Sequence, residues 1–103
     1  MQTIVTSRHC EITEQLQSRA STIASRLGAL ARRPISCTVL FDVEGTQSLA
    51  ELRLVDGSGE SLISRGEGPD HRTALDRAED RLKRQLETVS GRRRARRAEA
   101  AEG

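Results

Sequence analysis

At 103 residues the chain has room for one domain with a thin core; it is 35% apolar and 31% charged, and Phe41 is its only aromatic residue, so that core must be built from Leu, Ile, Val and Ala. The formal net charge of +2 hides an asymmetry: residues 1–90 hold 12 Lys and Arg against 13 Asp and Glu, whereas residues 91–103 hold five arginines and two glutamates, so an anionic partner is expected to meet local patches and the tail. The near absence of aromatics excludes the base-stacking platforms of single-strand RNA readers, and with no leader-like start and no apolar run near the roughly 20 residues of a membrane span, a soluble cytoplasmic protein is expected.

Gln2 to Ser7 is a short β-rich run centred on Ile4 and Val5 and is expected to form the first strand. Thr13 then offers an N-cap with Glu14 in the first turn. From Thr13 to about Ala31, Leu16, Ala20, Ile23, Leu27 and Leu30 recur at steps of four and three, which predicts one apolar helical face ended by Pro34.

Ile35, Cys37, Val39, Phe41 and Val43 alternate strictly, the clearest strand pattern in the chain. Glu44-Gly45-Thr46-Gln47 supplies a turn, and Ala50, Leu52 and Leu54 predict a third strand. Asp56-Gly57-Ser58-Gly59 signals a hairpin into a fourth strand, Ser61 to Gly66, around Leu62 and Ile63. Asp70 is the expected cap of a second helix whose apolar face is Leu75, Ala78, Leu82, Leu86 and Val89.

Gly91 ends that periodicity. The sequence therefore divides into a folded unit over residues 1–90 and a basic tail over 91–103, expected to be disordered. The fold class is α+β, ordered β-α-β-β-β-α. A four-stranded mixed sheet would carry both helices on one face, with the first two strands parallel if they are neighbours.

The arginines are sorted. With 100° per residue, Arg77, Arg81 and Arg84 fall within roughly 60° on one flank of the second helix, away from Asp76, Asp80 and Glu87. Arg19, Arg26 and Arg33 repeat every seven residues beside the first apolar stripe. Arg92, Arg93 and Arg94 open the tail. Such groups suit a phosphate backbone, which guanidinium forks grip two oxygens at a time; they equally suit a solvated, ion-paired helix flank.

No arrangement supports catalysis or a bound cofactor. His9, Cys10, Cys37 and His71 lack zinc-motif spacing, neighbouring His9 and Cys10 lack an orienting third residue, and the glycine pairs around Ser58 and Glu67 lack phosphate-loop spacing. The two cysteines are expected to be free thiols.

Two segments carry a family resemblance. One is CEITEQL, Cys10 to Leu16. The other is SRGEGPDHRTALDRAEDRLKRQLETV, Ser64 to Val89, with Glu67-Gly68, Asp70, Ala74-Leu75-Asp76, Leu82-Lys83 and Arg84-Gln85-Leu86 as its matched elements. The chain resembles the short ribosome hibernation-promoting factors and ribosome-associated inhibitors, historically called sigma-54 modulation proteins.

The resemblance implies a layout like that of a double-stranded-RNA-binding domain and a non-catalytic protein, monomeric off the ribosome, with no membrane or small-molecule partner. It implies binding to rRNA in the decoding region of the small ribosomal subunit, which stops translation during stasis or stress. The candidate RNA contacts are the nine arginines named above. Two other readings accompany it: a protein-interaction module on the same fold, suggested by the nearly neutral body, and RNA binding through the tail alone.

Overall fold

The computed structural model describes residues 1–102, and for Ser90 and residues 92–102 the backbone only. The elements are β1 (Gln2–Ser7), α1 (Glu14–Leu30), β2 (Pro34–Glu44), β3 (Gln47–Asp56), β4 (Ser61–Gly68) and α2 (His71–Glu102). The sheet order is β1-β2-β3-β4; β1 runs parallel to β2, and β2-β3 and β3-β4 are antiparallel hairpins. The expected α+β class, element order and mixed sheet are all present.

The register explains which residues form the core. Val5 lies opposite Val39, Val39 opposite Leu52, and Leu52 opposite Ser64; one row along, Phe41 meets Ala50 and Ala50 meets Gly66. Cys37, Val39, Phe41, Ala50, Leu52 and Leu54 are buried on this face against Ala20, Ile23, Ala24 and Leu27 of α1 and Ala74, Leu75, Ala78, Leu82 and Leu86 of α2. Burial drives the Cys37 thiol up to about 11, so it stays protonated and inert.

Both helix starts use the expected caps. Thr13 Oγ1 accepts from Leu16 N at 3.1 Å, and Asp70 Oδ1 accepts from Thr73 N at 2.7 Å. Each satisfies an amide left over by the first helical turn.

The ends of the patterned stretches differ from expectation. Leu30 and Val43 are exposed near the ends of α1 and β2, and Ile35 is exposed at the register shift between Pro34 and Ser36, which leaves it unpaired with β3. Val89 is half-buried, where α2 leaves the sheet. In β4, Leu62 is half-buried but Ile63 faces solvent; the inward residues are Ser64, Gly66 and Gly68. Hydrophobicity is a poor guide here because the helix approaches the strand too closely for large side chains.

That approach is specific. A Cβ at Gly66 would lie 2.7 Å from Ala78 N and also collide with Ala74 O, and one at Gly68 would lie 2.9 Å from Thr73 Cγ2. Ser64 keeps its hydroxyl in the seam by donating to Ala78 O at 2.7 Å.

The backbone of α2 does not stop at Gly91. It continues helically to Glu102. Glycine in a helix costs only about 1 kcal/mol relative to alanine, and the Arg, Ala and Glu residues that follow are strong helix formers.

Gly66→Ala tests the seam. Helix backbone, not a flexible side chain, opposes the added methyl, so a loss of about 3 kcal/mol is expected in urea unfolding. Gly45→Ala meets no atom within 4 Å; its φ of 60° should make it a smaller loss, about 1 kcal/mol.

Candidate nucleic-acid interface

The arginines expected to face RNA divide into groups with different tasks. On α1, Arg19 Nη2 contacts Asp76 Oδ1 at 2.6 Å, and Arg26 Nη2 lies 3.1 Å from Glu79 Oε2. Both acids belong to α2, so the two arginines tie the helices together across their seam. They are half-buried or flanked by carboxylates and do not form a free cationic stripe.

Arg33 is not on α1 at all. The helix ends at Leu30 with Ala31 as C-cap, and Arg33 sits in the link to β2 with φ 55°, its carbonyl accepting from Gly57 N at 2.8 Å. The helix ends three residues before Arg33, so the heptad spacing no longer holds Arg33 on the face where Arg19 and Arg26 lie.

On α2 the arginines meet the free edge of β4. Arg77 Nη1 donates to Glu67 O at 2.6 Å, Arg81 Nη1 donates to Arg65 O, and Gln85 Nε2 donates to Ile63 O at 2.9 Å. Four residues of helix rise about 6 Å and two residues of strand about 6.6 Å, so every fourth residue of α2 meets every second carbonyl of β4. This three-rung ladder satisfies the outward carbonyls of an edge strand. The sequence shows Arg77 and Arg81 as a flank; it gives no sign of Gln85 as the third rung, because the match depends on α2 lying antiparallel to β4.

Each guanidinium carries five N–H donors and spends one nitrogen here, so Arg77 and Arg81 keep exposed donors. Both line an open cleft of about 550 Å³ with Thr46, Gln47, Glu67, Gly68 and Pro69. Arg84, one turn on, is 75% exposed and pairs with Asp80 at 3.0 Å in a solvent-facing i, i+4 contact. The structure therefore places Arg77 and Arg81 together at the β4-side cleft, with Arg84 on the solvent side of α2 beside Asp80. Arg92, Arg93 and Arg94 follow on the same helix backbone, and their side chains lie outside the described residues.

A second polar cluster closes the other end of β2. Asp42 Oδ1 accepts from Val43 N at 2.8 Å and lies 3.1 Å from His9 Nδ1, while Asp42 Oδ2 accepts from Arg8 Nε at 3.2 Å. His71 Nε2 lies 2.8 Å from Asp42 O; since a carbonyl only accepts, that nitrogen carries the proton. Cys10 Sγ is 3.8 Å from the same nitrogen, while Phe41 stacks edge-on with the ring at 5.6 Å. Among the described residues, no group of three or more His, Cys, Asp or Glu side chains could hold a metal. The cluster pins the β1-α1 loop to the start of α2.

With this geometry in view, the relationships are decisive. A family model described as sigma 54 modulation protein / S30EA ribosomal protein matches residues 3–94. The chain belongs to this family. Among solved structures, the N-terminal domain of Protein Y from Thermus thermophilus matches with a TM-score of 0.74 at 26% identity, over 86% of this chain and 99% of that one. A ribosomal subunit interface protein from Coxiella burnetii shares the fold, with a TM-score of 0.73 at 13% identity, over 88% of this chain and 99% of that one. No curated protein matches in sequence. Family membership agrees with the resemblance carried by CEITEQL and by the β4-α2 segment. Among the described residues, no helix is long and apolar enough to cross a membrane.

The Asp42 cluster gives a pH prediction. Hydrogen bonds from Val43 N–H first, then from His9 and Arg8, hold the Asp42 carboxyl below its ordinary 3.8. A depressed folded value contributes stability that is present above 3.8 and is lost as pH falls through the lower folded value. Asp42→Asn is expected to flatten that part of the acid limb in thermal unfolding followed from neutral to strongly acidic pH; an unchanged limb would show that the contacts confer no such stability.

Proposed function

We propose that this protein binds the small ribosomal subunit at its decoding region, against rRNA, and inhibits translation during stasis or stress without catalysing a reaction. The family match over residues 3–94 carries this reading. It also implies a cytoplasmic site of action. The name of the Coxiella burnetii neighbour, a ribosomal subunit interface protein, fits the same reading.

The charge geometry narrows the contact surface. Arg77, Arg81 and Arg84 are exposed on α2, and the first two are oriented by the carbonyls they hold. Pre-oriented guanidinium groups lose less side-chain freedom when they meet phosphates than free ones do. A-form RNA is read through phosphates, 2′-hydroxyls and shape, which needs no aromatic platform. Arg92, Arg93 and Arg94 extend the cationic sequence along the same helix. Arg19 and Arg26 act one step back, holding α1 against α2.

Co-sedimentation of the purified protein with ribosomal subunits across a salt series tests this. Stoichiometric pelleting with the small subunit should weaken steeply as salt rises. The triple substitution R77E/R81E/R84E should weaken binding at least tenfold and reduce the salt slope. Absence of binding at low salt would refute the proposal; full binding by the folded triple variant would remove α2 from the contact. Deleting residues 91–103 measures the tail's share separately.

A further inference from the structure

The sheet has two edges, and they are treated in opposite ways. On the β4 edge, the carbonyls of Ile63, Arg65 and Glu67 are held by Gln85, Arg81 and Arg77. On the β1 edge, no described residue reaches the outward groups. Arg8 N donates to Phe41 O at 2.9 Å, which fixes the parity of β1. Its even-numbered residues address β2, and the N–H and C=O groups of Thr3, Val5 and Ser7 point away from the sheet.

The β1 edge also lacks the devices that keep strands from pairing. Gln-Thr-Ile-Val-Thr-Ser contains no charge and no proline, and its register with β2 runs without a bulge. Four of its six residues, Thr3, Ile4, Val5 and Thr6, are β-branched, and Ile4 is 42% exposed. β4, by contrast, bears Arg65 and Glu67 on its solvent face.

We propose that β1 is a pairing surface for a second copy of this chain, joined antiparallel about a two-fold axis at Val5. The outward groups have the symmetry this needs. Val5 would face the partner's Val5 and exchange two hydrogen bonds with it, while Thr3 would face the partner's Ser7 on either side. That gives six backbone bonds from three outward residues per copy. Ile4 would lie beside the partner's Thr6, covering exposed apolar surface on an eight-stranded sheet. No charged side chain within β1 opposes another across the axis.

Six residues a side bury far less than the roughly 1,200 Å² of a stable interface, so the pair is weak and reversible, and dilute protein is monomeric. Since its contacts are uncharged backbone groups, it responds little to salt, unlike binding to a polyanion. A bare strand edge could also receive an extended segment of another protein; a second copy is favoured because β1, carrying no charge, meets its own copy without like-charge repulsion.

Sedimentation equilibrium of the full chain over a wide concentration range reads the pairing directly. A monomer–dimer equilibrium nearly independent of salt is expected. T3P and S7P each delete an outward N–H at an exposed residue while leaving the β1-β2 bonds intact, and should weaken association at least tenfold without loss of the circular dichroism of the fold. A chain that stays monomeric at the highest concentration, or association unaffected by T3P, overturns the proposal. The double variant I4C/T6C, in a C10S background, gives a test that does not depend on proline tolerance. Residues 4 and 6 of opposing copies form a close, non-hydrogen-bonded pair, so oxidation should produce a covalent dimer, whereas I4C or T6C alone should give little. Failure of the double variant to cross-link also overturns the proposal.

Discussion

The structure depends on how closely α2 lies on β4. Ser64, Gly66 and Gly68 place almost no side-chain volume on the inner face of the strand, and Ala74 and Ala78 place little on the helix. Two backbones then approach to within a distance that a single methyl at Gly66 would violate. Such proximity gains dispersion contacts without large apolar residues, which suits a chain with one aromatic and a modest supply of aliphatics. The seating also sets the height of α2 above the sheet edge, and with it everything that α2 can reach.

What it reaches first is the row of outward carbonyls on β4. Arginine and glutamine side chains long enough to bend over the edge convert an exposed strand into a closed one. The same guanidiniums face an open cleft, so the edge seal and the cationic surface are built from the same residues. On the opposite flank of α2, Asp76 and Glu79 take up Arg19 and Arg26. The nearly neutral body is thus compatible with a local cationic face: acids and arginines cancel along the α1-α2 seam, leaving the strand-side flank of α2 basic. Partly exposed pairs of this kind contribute on the order of 0.2–1 kcal/mol each; their larger effect is to decide which arginines remain for a partner.

The two sheet edges show why a fold can be closed on one side only. Closing β4 requires a long helix packed over it at a fixed spacing, and α2 supplies this. α1 packs on β1 and β2 from the inner face and carries Ala20, Ile23, Ala24 and Leu27 inward, so it sends no donor across the β1 edge. An uncharged, β-branched edge strand is the result, with its pairing groups directed outward.

The sequence alone determined the element order and most of the core, because alternation in Cys37-Val39-Phe41 and Ala50-Leu52-Leu54, and three-four spacing in both helices, are local consequences of strand and helix geometry. It also determined both N-caps and, through CEITEQL and the β4-α2 segment, the family. It misjudged Ile63 and Leu30, where local pattern competes with limited overlap between elements. Only the tertiary structure decided which arginines are available. Arg19 and Arg26 find acids some fifty residues away in sequence, Arg33 is turned aside after the helix end, and Arg77, Arg81 and Gln85 form a ladder solely because a 1.5 Å helical rise and a 3.3 Å strand rise come into step when α2 lies antiparallel to β4. Charge and spacing are written in the chain; partners are assigned by packing.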